Sequence, residues 1–112
     1  MTPRAEAWIW IAHRATAAYL AAAVVVHLAT IVYAVDGGLS AAEILGRTRG
    51  NGAWLAFYAM FAASAAVHGS AGLRTVIREH TGWRGGSLDL AALGLAAVLT
   101  VLGWRAVGGL FA

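Results

Sequence analysis

Residues 15–35 read ATAAYLAAAVVVHLATIVYAV, a run with one histidine, His27, and no arginine, lysine, aspartate or glutamate. At a rise of about 1.5 Å per residue, roughly 20 such residues cross a hydrocarbon core of about 30 Å. Two further stretches have the same character. Ala53–Leu73 holds only His68 of this kind, and Leu90–Ala112 is broken only by Arg105. Period-2 alternation is absent throughout, which excludes a membrane barrel. The chain is therefore expected to be an all-α membrane protein with three transmembrane helices. Helix I is placed at about residues 6–35, helix II at about 51–78 and helix III at about 88–111, within one domain spanning 1–112.

The breaks between these runs carry stop and start signals. Asp36-Gly37-Gly38 ends helix I. Ser40-Ala41-Ala42-Glu43 has capping-box spacing, which predicts a short interfacial helical turn before Gly46. Gly50-Asn51-Gly52 opens helix II, Gly82–Gly86 forms the second loop, and Ser87 with Asp89 is expected to cap helix III. Trp8, Trp10, Trp54, Trp83 and Trp104 lie near helix ends, as an aromatic belt requires.

Composition agrees. Of 112 residues, 61% are hydrophobic and 12% charged, about half the charge of a soluble domain. All eight basic residues are arginines. They stand singly at the ends of apolar runs, which suits membrane orientation and anion contact, not a nucleic-acid stripe. Five of them (Arg4, Arg14, Arg74, Arg78, Arg84) fall on the N-terminal side and three (Arg47, Arg49, Arg105) on the other, which favours a cytoplasmic N-terminus. The first apolar run is too long for a signal h-region, so it is expected to remain as a helix. With no cysteine, thiolate and iron–sulfur chemistry on this chain are excluded.

Histidine inside a bilayer core points to function. Measured from the outer ends at Val35 and Asn51, His27 lies about 12 Å deep and His68 about 25 Å. A gap of roughly 13 Å prevents the two from sharing one metal ion. Either they serve different sites or one is structural. The same ruler puts His13 and Arg14 at about 32–33 Å and Arg74 at about 34–35 Å, at the inner interface. Between helices I and II this leaves a hydrophobic pocket with a histidine at one end and cations at its rim, suited to a flat apolar cofactor with carboxylate tails. Ser64 and Gly72 flank His68 on one helix face. Such small residues leave room for haem, or merely let helices pack closely.

His68-Gly69-Ser70-Ala71-Gly72-Leu73-Arg74, with Glu79 beyond, resembles the H-x-x-x-G-x-R-x-x-x-x-D pattern of succinate dehydrogenase and fumarate reductase membrane anchors. His13-Arg14-Ala15-Thr16-Ala17 is similar to the H-R-x-S-G that opens helix I in that family. The resemblance implies a cytochrome b anchor of complex II, one subunit of a succinate dehydrogenase (quinone), with no independent catalytic chemistry of its own. Its three helices would form half of a six-helix bundle with a second three-helix anchor chain, which supplies the other haem ligand. A flavoprotein subunit and an iron–sulfur subunit would dock on the cytoplasmic face, where Arg78, Glu79, His80 and Arg84 lie. The membrane would be that of a bacterium or archaeon.

By the same resemblance His68 is the axial ligand of haem b, Arg74 lies near the haem propionates, and Arg14, assisted by His13, helps bind quinone. His27 is placed either on a second haem nearer the outer face or in a plain interhelical hydrogen bond. Three positions depart from the family pattern. Trp10 replaces a serine that contacts quinone in many members, Thr16-Ala17 replaces Ser-Gly, and Glu79 replaces aspartate. Two rival readings are a small multidrug-type transporter and a cofactor-free structural anchor. The transporter needs a carboxylate buried in its first helix, and none of the apolar runs contains one.

Overall fold

The computed structural model describes residues 2–112, in four helices. Helix α1 spans Pro3–Gly37, starting earlier and ending later than the sequence alone suggests. Thr2 caps it, its Oγ1 accepting from Ala5 N at 3.2 Å, and Pro3 stands in the first turn, where its missing N–H costs nothing. Gly38, at φ 107°, ends the helix in a conformation that β-carbons resist.

Helix α2 (Ala41–Thr48) begins as expected, with Ser40 Oγ accepting from Glu43 N at 3.2 Å. It runs on past Gly46 because its far end is anchored. Thr48 donates to Leu110 O at 2.8 Å, and Gly50 N donates to Phe111 O at 2.9 Å. Helix α3 (Gly52–His80) is capped by Asn51, whose Oδ1 accepts from Ala53 N and Trp54 N. Helix α4 (Gly86–Phe111) departs from expectation. Gly85, at φ 88°, occupies the N-cap without any side-chain bond. Ser87 lies inside the helix and accepts from Trp83 Nε1 at 2.8 Å, while Asp89 is engaged by Arg74.

Helix α3 is the centre, with α1 on one side and α4 on another. The α3–α4 seam is close because its residues are small. A β-carbon at Gly103 would sit 2.8 Å from that of Ala62, and Trp104 Nε1 donates to Ala59 O at 3.0 Å nearby. Small residues at helix seams are how membrane helices gain packing without a hydrophobic drive.

The apolar residues point outward. Among the described residues, only Ala23, Ala34, Ala66, Leu88 and Val107 are buried apolar positions, whereas Val32 and Leu90 are about 70% exposed (68% and 70%). A water-soluble fold buries such side chains, so this 49 × 23 × 23 Å bundle requires an apolar surrounding. Two helices, α1 and α4, are long and apolar enough to cross a membrane. Helix α3 is as long as α4 but is diluted by Tyr58, Ser64, His68 and Ser70.

Candidate functional site: a histidine pair and an arginine clamp

In the third of the bundle nearest the start of α1, His13 on α1 and His68 on α3 stack face to face, ring centroids 4.3 Å apart and planes parallel. Backbone heights alone set these residues several ångströms apart, with His13 level with Arg14 and Arg74. The side chains close that gap. Gly72, one turn from His68, makes room: a β-carbon there would meet His13 Nε2 at 3.3 Å.

The contacts of His68 are best satisfied by one tautomer. Nδ1 lies 3.2 Å from the carbonyl oxygen of His13 and 3.4 Å from Thr16 Oγ1. A carbonyl only accepts. The Thr16 hydroxyl is already donating to Ala12 O at 2.8 Å and His13 O at 3.0 Å, so towards the ring it too accepts. Nδ1 therefore carries the proton, and Nε2 keeps its lone pair. Orientation of one ring nitrogen by a carbonyl while the other is left for a metal is the usual arrangement of histidine ligands. The donor set thus fits haem iron at Nε2 of His68.

Arg74 is 5% exposed and its guanidinium is held on two sides. Nε donates to Asp89 Oδ1 at 2.7 Å and Nη2 donates to Glu6 Oε1 at 2.7 Å. Arg78 Nη1 reaches the same Glu6 oxygen at 3.2 Å. One guanidinium therefore ties α1, α3 and α4 together. Glu6 lies ahead of the apolar run that begins at Ala15, and the hydrogen bond from Arg74, with its charge, holds the Glu6 carboxyl below the usual carboxylate range. Neither carboxylate was legible as a partner. Asp89 reads as a cap, and Glu6 lies far from Arg74 in sequence. The available signal was the scarcity of acids in a chain with five in all.

Arg14 stands apart. It is exposed, with its guanidinium 5.0 Å over the Trp10 ring in a cation–π contact. His27 lies towards the other end, its Nδ1 3.3 Å from Tyr58 Oη and its ring edge-on to Tyr58 and Phe61 at 5.8 and 5.7 Å. With Trp54, Thr30 and Arg47 it lines a cavity of about 470 Å³ roofed by α2. The structure thus brings His13, His68 and Thr16 together, sets Arg74 one layer below them, and leaves Arg14 and His27 outside.

Exposed apolar helices around a polar, histidine-bearing seam define an integral membrane protein. A family model described as succinate dehydrogenase/fumarate reductase transmembrane subunit matches residues 1–103, and the chain belongs to that family. Comparison with curated proteins and with solved structures finds no match.

Proposed function

We propose that the chain is the haem b- and quinone-binding anchor of a succinate:quinone oxidoreductase, joined to a sister anchor chain and to flavoprotein and iron–sulfur subunits at its cytoplasmic N-terminal end. In this reading α3 also crosses the membrane. Its 29 residues correspond to about 43 Å of helix, and it lies between two helices that are apolar enough to span. The observation that carries the reading is the placement of His68 Nδ1 against the His13 carbonyl, 3.2 Å away, which favours a proton on Nδ1 and a lone pair on Nε2 for iron.

Haem, when bound, supplies one-electron redox chemistry whose potential depends on axial ligands and burial. The residues of this chain position and tune. His13, through its carbonyl, and Thr16 hold the His68 ring in plane, and the His13 imidazole covers one of its faces. Arg14 is the quinone contact that the resemblance implies; exposed and held over Trp10, it lies apart from the histidine pair and could lend charge to a quinone only at the rim of the bundle. Arg74 holds the inner ends of three helices. Its expected contact with a propionate would require Glu6 to yield its place on the guanidinium. His27 is read as the partner of Tyr58, outside the cofactor pocket.

The test is a visible spectrum of the dithionite-reduced complex, co-expressed with its partner subunits. A sharp b-type band that disappears in His68→Ala is expected. A featureless wild-type spectrum would sink the haem reading and leave a cofactor-free anchor.

A further inference from the structure

One buried polar atom has no role in this scheme. Ser70, two residues beyond His68, is 3% exposed. Among the described residues its Oγ is the buried side-chain oxygen or nitrogen without a hydrogen-bond partner. Other helical hydroxyls show what it forgoes: Thr16, Thr30, Thr75 and Thr100 each donate to a carbonyl one turn back, as hydroxyls in membrane helices do. A buried hydroxyl left without an acceptor is costly and calls for an explanation.

Ser70 lines a groove of about 510 Å³, floored by α3 and walled by Ile9 of α1 and by Leu93 and Ala96 of α4, with Val67 and Ala71 beside it. That volume is typical of a small-molecule site, about 300–1,000 Å³. Arg74 and Asp89 close its inner end. The charges there balance, the carboxylates of Glu6 and Asp89 against the guanidiniums of Arg74 and Arg78. An anionic headgroup gains little at such a neutral cluster. A neutral head with an acceptor oxygen and an apolar tail meets every feature of the groove.

We infer that the groove seats a membrane quinone, with the Ser70 hydroxyl donating to one of its carbonyl oxygens and the tail lying along Leu93 and Ala96. The inference rests on the reading of the chain as a quinone-binding anchor. It also answers a departure in the sequence. Trp10 fills the helix I position where many relatives carry a quinone-contacting serine, and Arg14 does not line the groove, so the hydroxyl comes from α3.

The assembled four-subunit complex is the material for the test, with ubiquinone-1 and menaquinone-1 as acceptors. Ser70→Ala raises KM for quinone about three- to tenfold, the loss expected for one hydrogen bond between neutral groups. Ser70→Thr restores the hydroxyl and most of the affinity. Thr75→Ala, whose hydroxyl is engaged by Ala71 O, leaves KM unchanged. An azido-quinone photolabel on the wild-type complex attaches to residues 67–74 or 86–96, and Ala96→Phe abolishes that label. If wild type reduces quinone and Ser70→Ala has the same KM, the groove assignment is wrong while the anchor reading stands. A label confined to the Arg14 segment, or a lipid or sister helix filling the groove, overturns it equally. Should Ser70→Ala fail to assemble, the photolabel decides. A wild-type complex unable to reduce quinone defeats both.

Discussion

His27 and His68 sit in comparable apolar runs, yet the two ends of the bundle treat them differently. At the end where α1 begins, His68 meets a carbonyl, a hydroxyl whose proton is already engaged and a parallel imidazole. At the opposite end, His27 meets a phenol and the edges of aromatic rings. The first setting favours a proton on Nδ1 and a lone pair on Nε2. A phenol can donate or accept, so the second favours neither tautomer and reads as packing. A histidine in a membrane helix is informative only together with the partners that decide where its proton rests.

Exchanging the two histidines for alanine breaks the comparison most sharply. His68→Ala is expected to lose the b-type band entirely, and His27→Ala to retain it. A band lost in part from the His27 variant would instead assign that residue to a second haem. Next in size is the clamp. Arg74→Ala leaves Glu6 and Asp89 without their shared cation, at a cost of about 3 kcal/mol, the low end for a broken buried pair because Glu6 is one-third exposed. Thermal unfolding in detergent should show that loss at the end where α1 begins, while Arg105→Ala at the exposed opposite end changes stability by less than about 0.5 kcal/mol.

Tyr58→Phe sharpens the His27 half of the comparison. It removes one hydrogen bond to His27 and should cost about 0.5–1.5 kcal/mol with an unaltered haem spectrum. The smallest effect is on pH dependence. Because the Glu6 carboxyl is held below its ordinary value, its contribution is complete above the usual carboxylate range and fades as pH falls through the lowered value. Glu6→Gln should therefore flatten the acid limb of stability, and an unchanged acid limb would show that the clamp does not depend on this charge.

Much of the architecture could be read in advance for local reasons. The capping groups of Ser40 and Asn51 lie within three residues of the amides they satisfy, so their spacing identifies them. The start of α4 was misplaced because a glycine with positive φ does the work assigned to Ser87, and backbone conformation of that kind leaves only a faint trace in sequence. At the site, His68 was visible from its depth and its neighbours. Its stacking on His13 was not, since a ruler of 1.5 Å per residue measures backbone height and says nothing of where two imidazoles meet.

The sequence by itself determined that this chain belongs in a bilayer, because long runs without charge admit no other solvent, and that its family motif falls on α3. Only the tertiary structure decided which groups face one another. It set Glu6 and Asp89 on Arg74, put the His13 carbonyl on His68 Nδ1, and left the buried Ser70 hydroxyl without a partner beside an apolar groove. Those pairings join residues far apart in the chain, and they depend on how helices of fixed rise are rotated and packed about α3. That packing is set by small residues at the seams, Gly72 and Gly103 above all, whose missing β-carbons let the neighbouring helix approach.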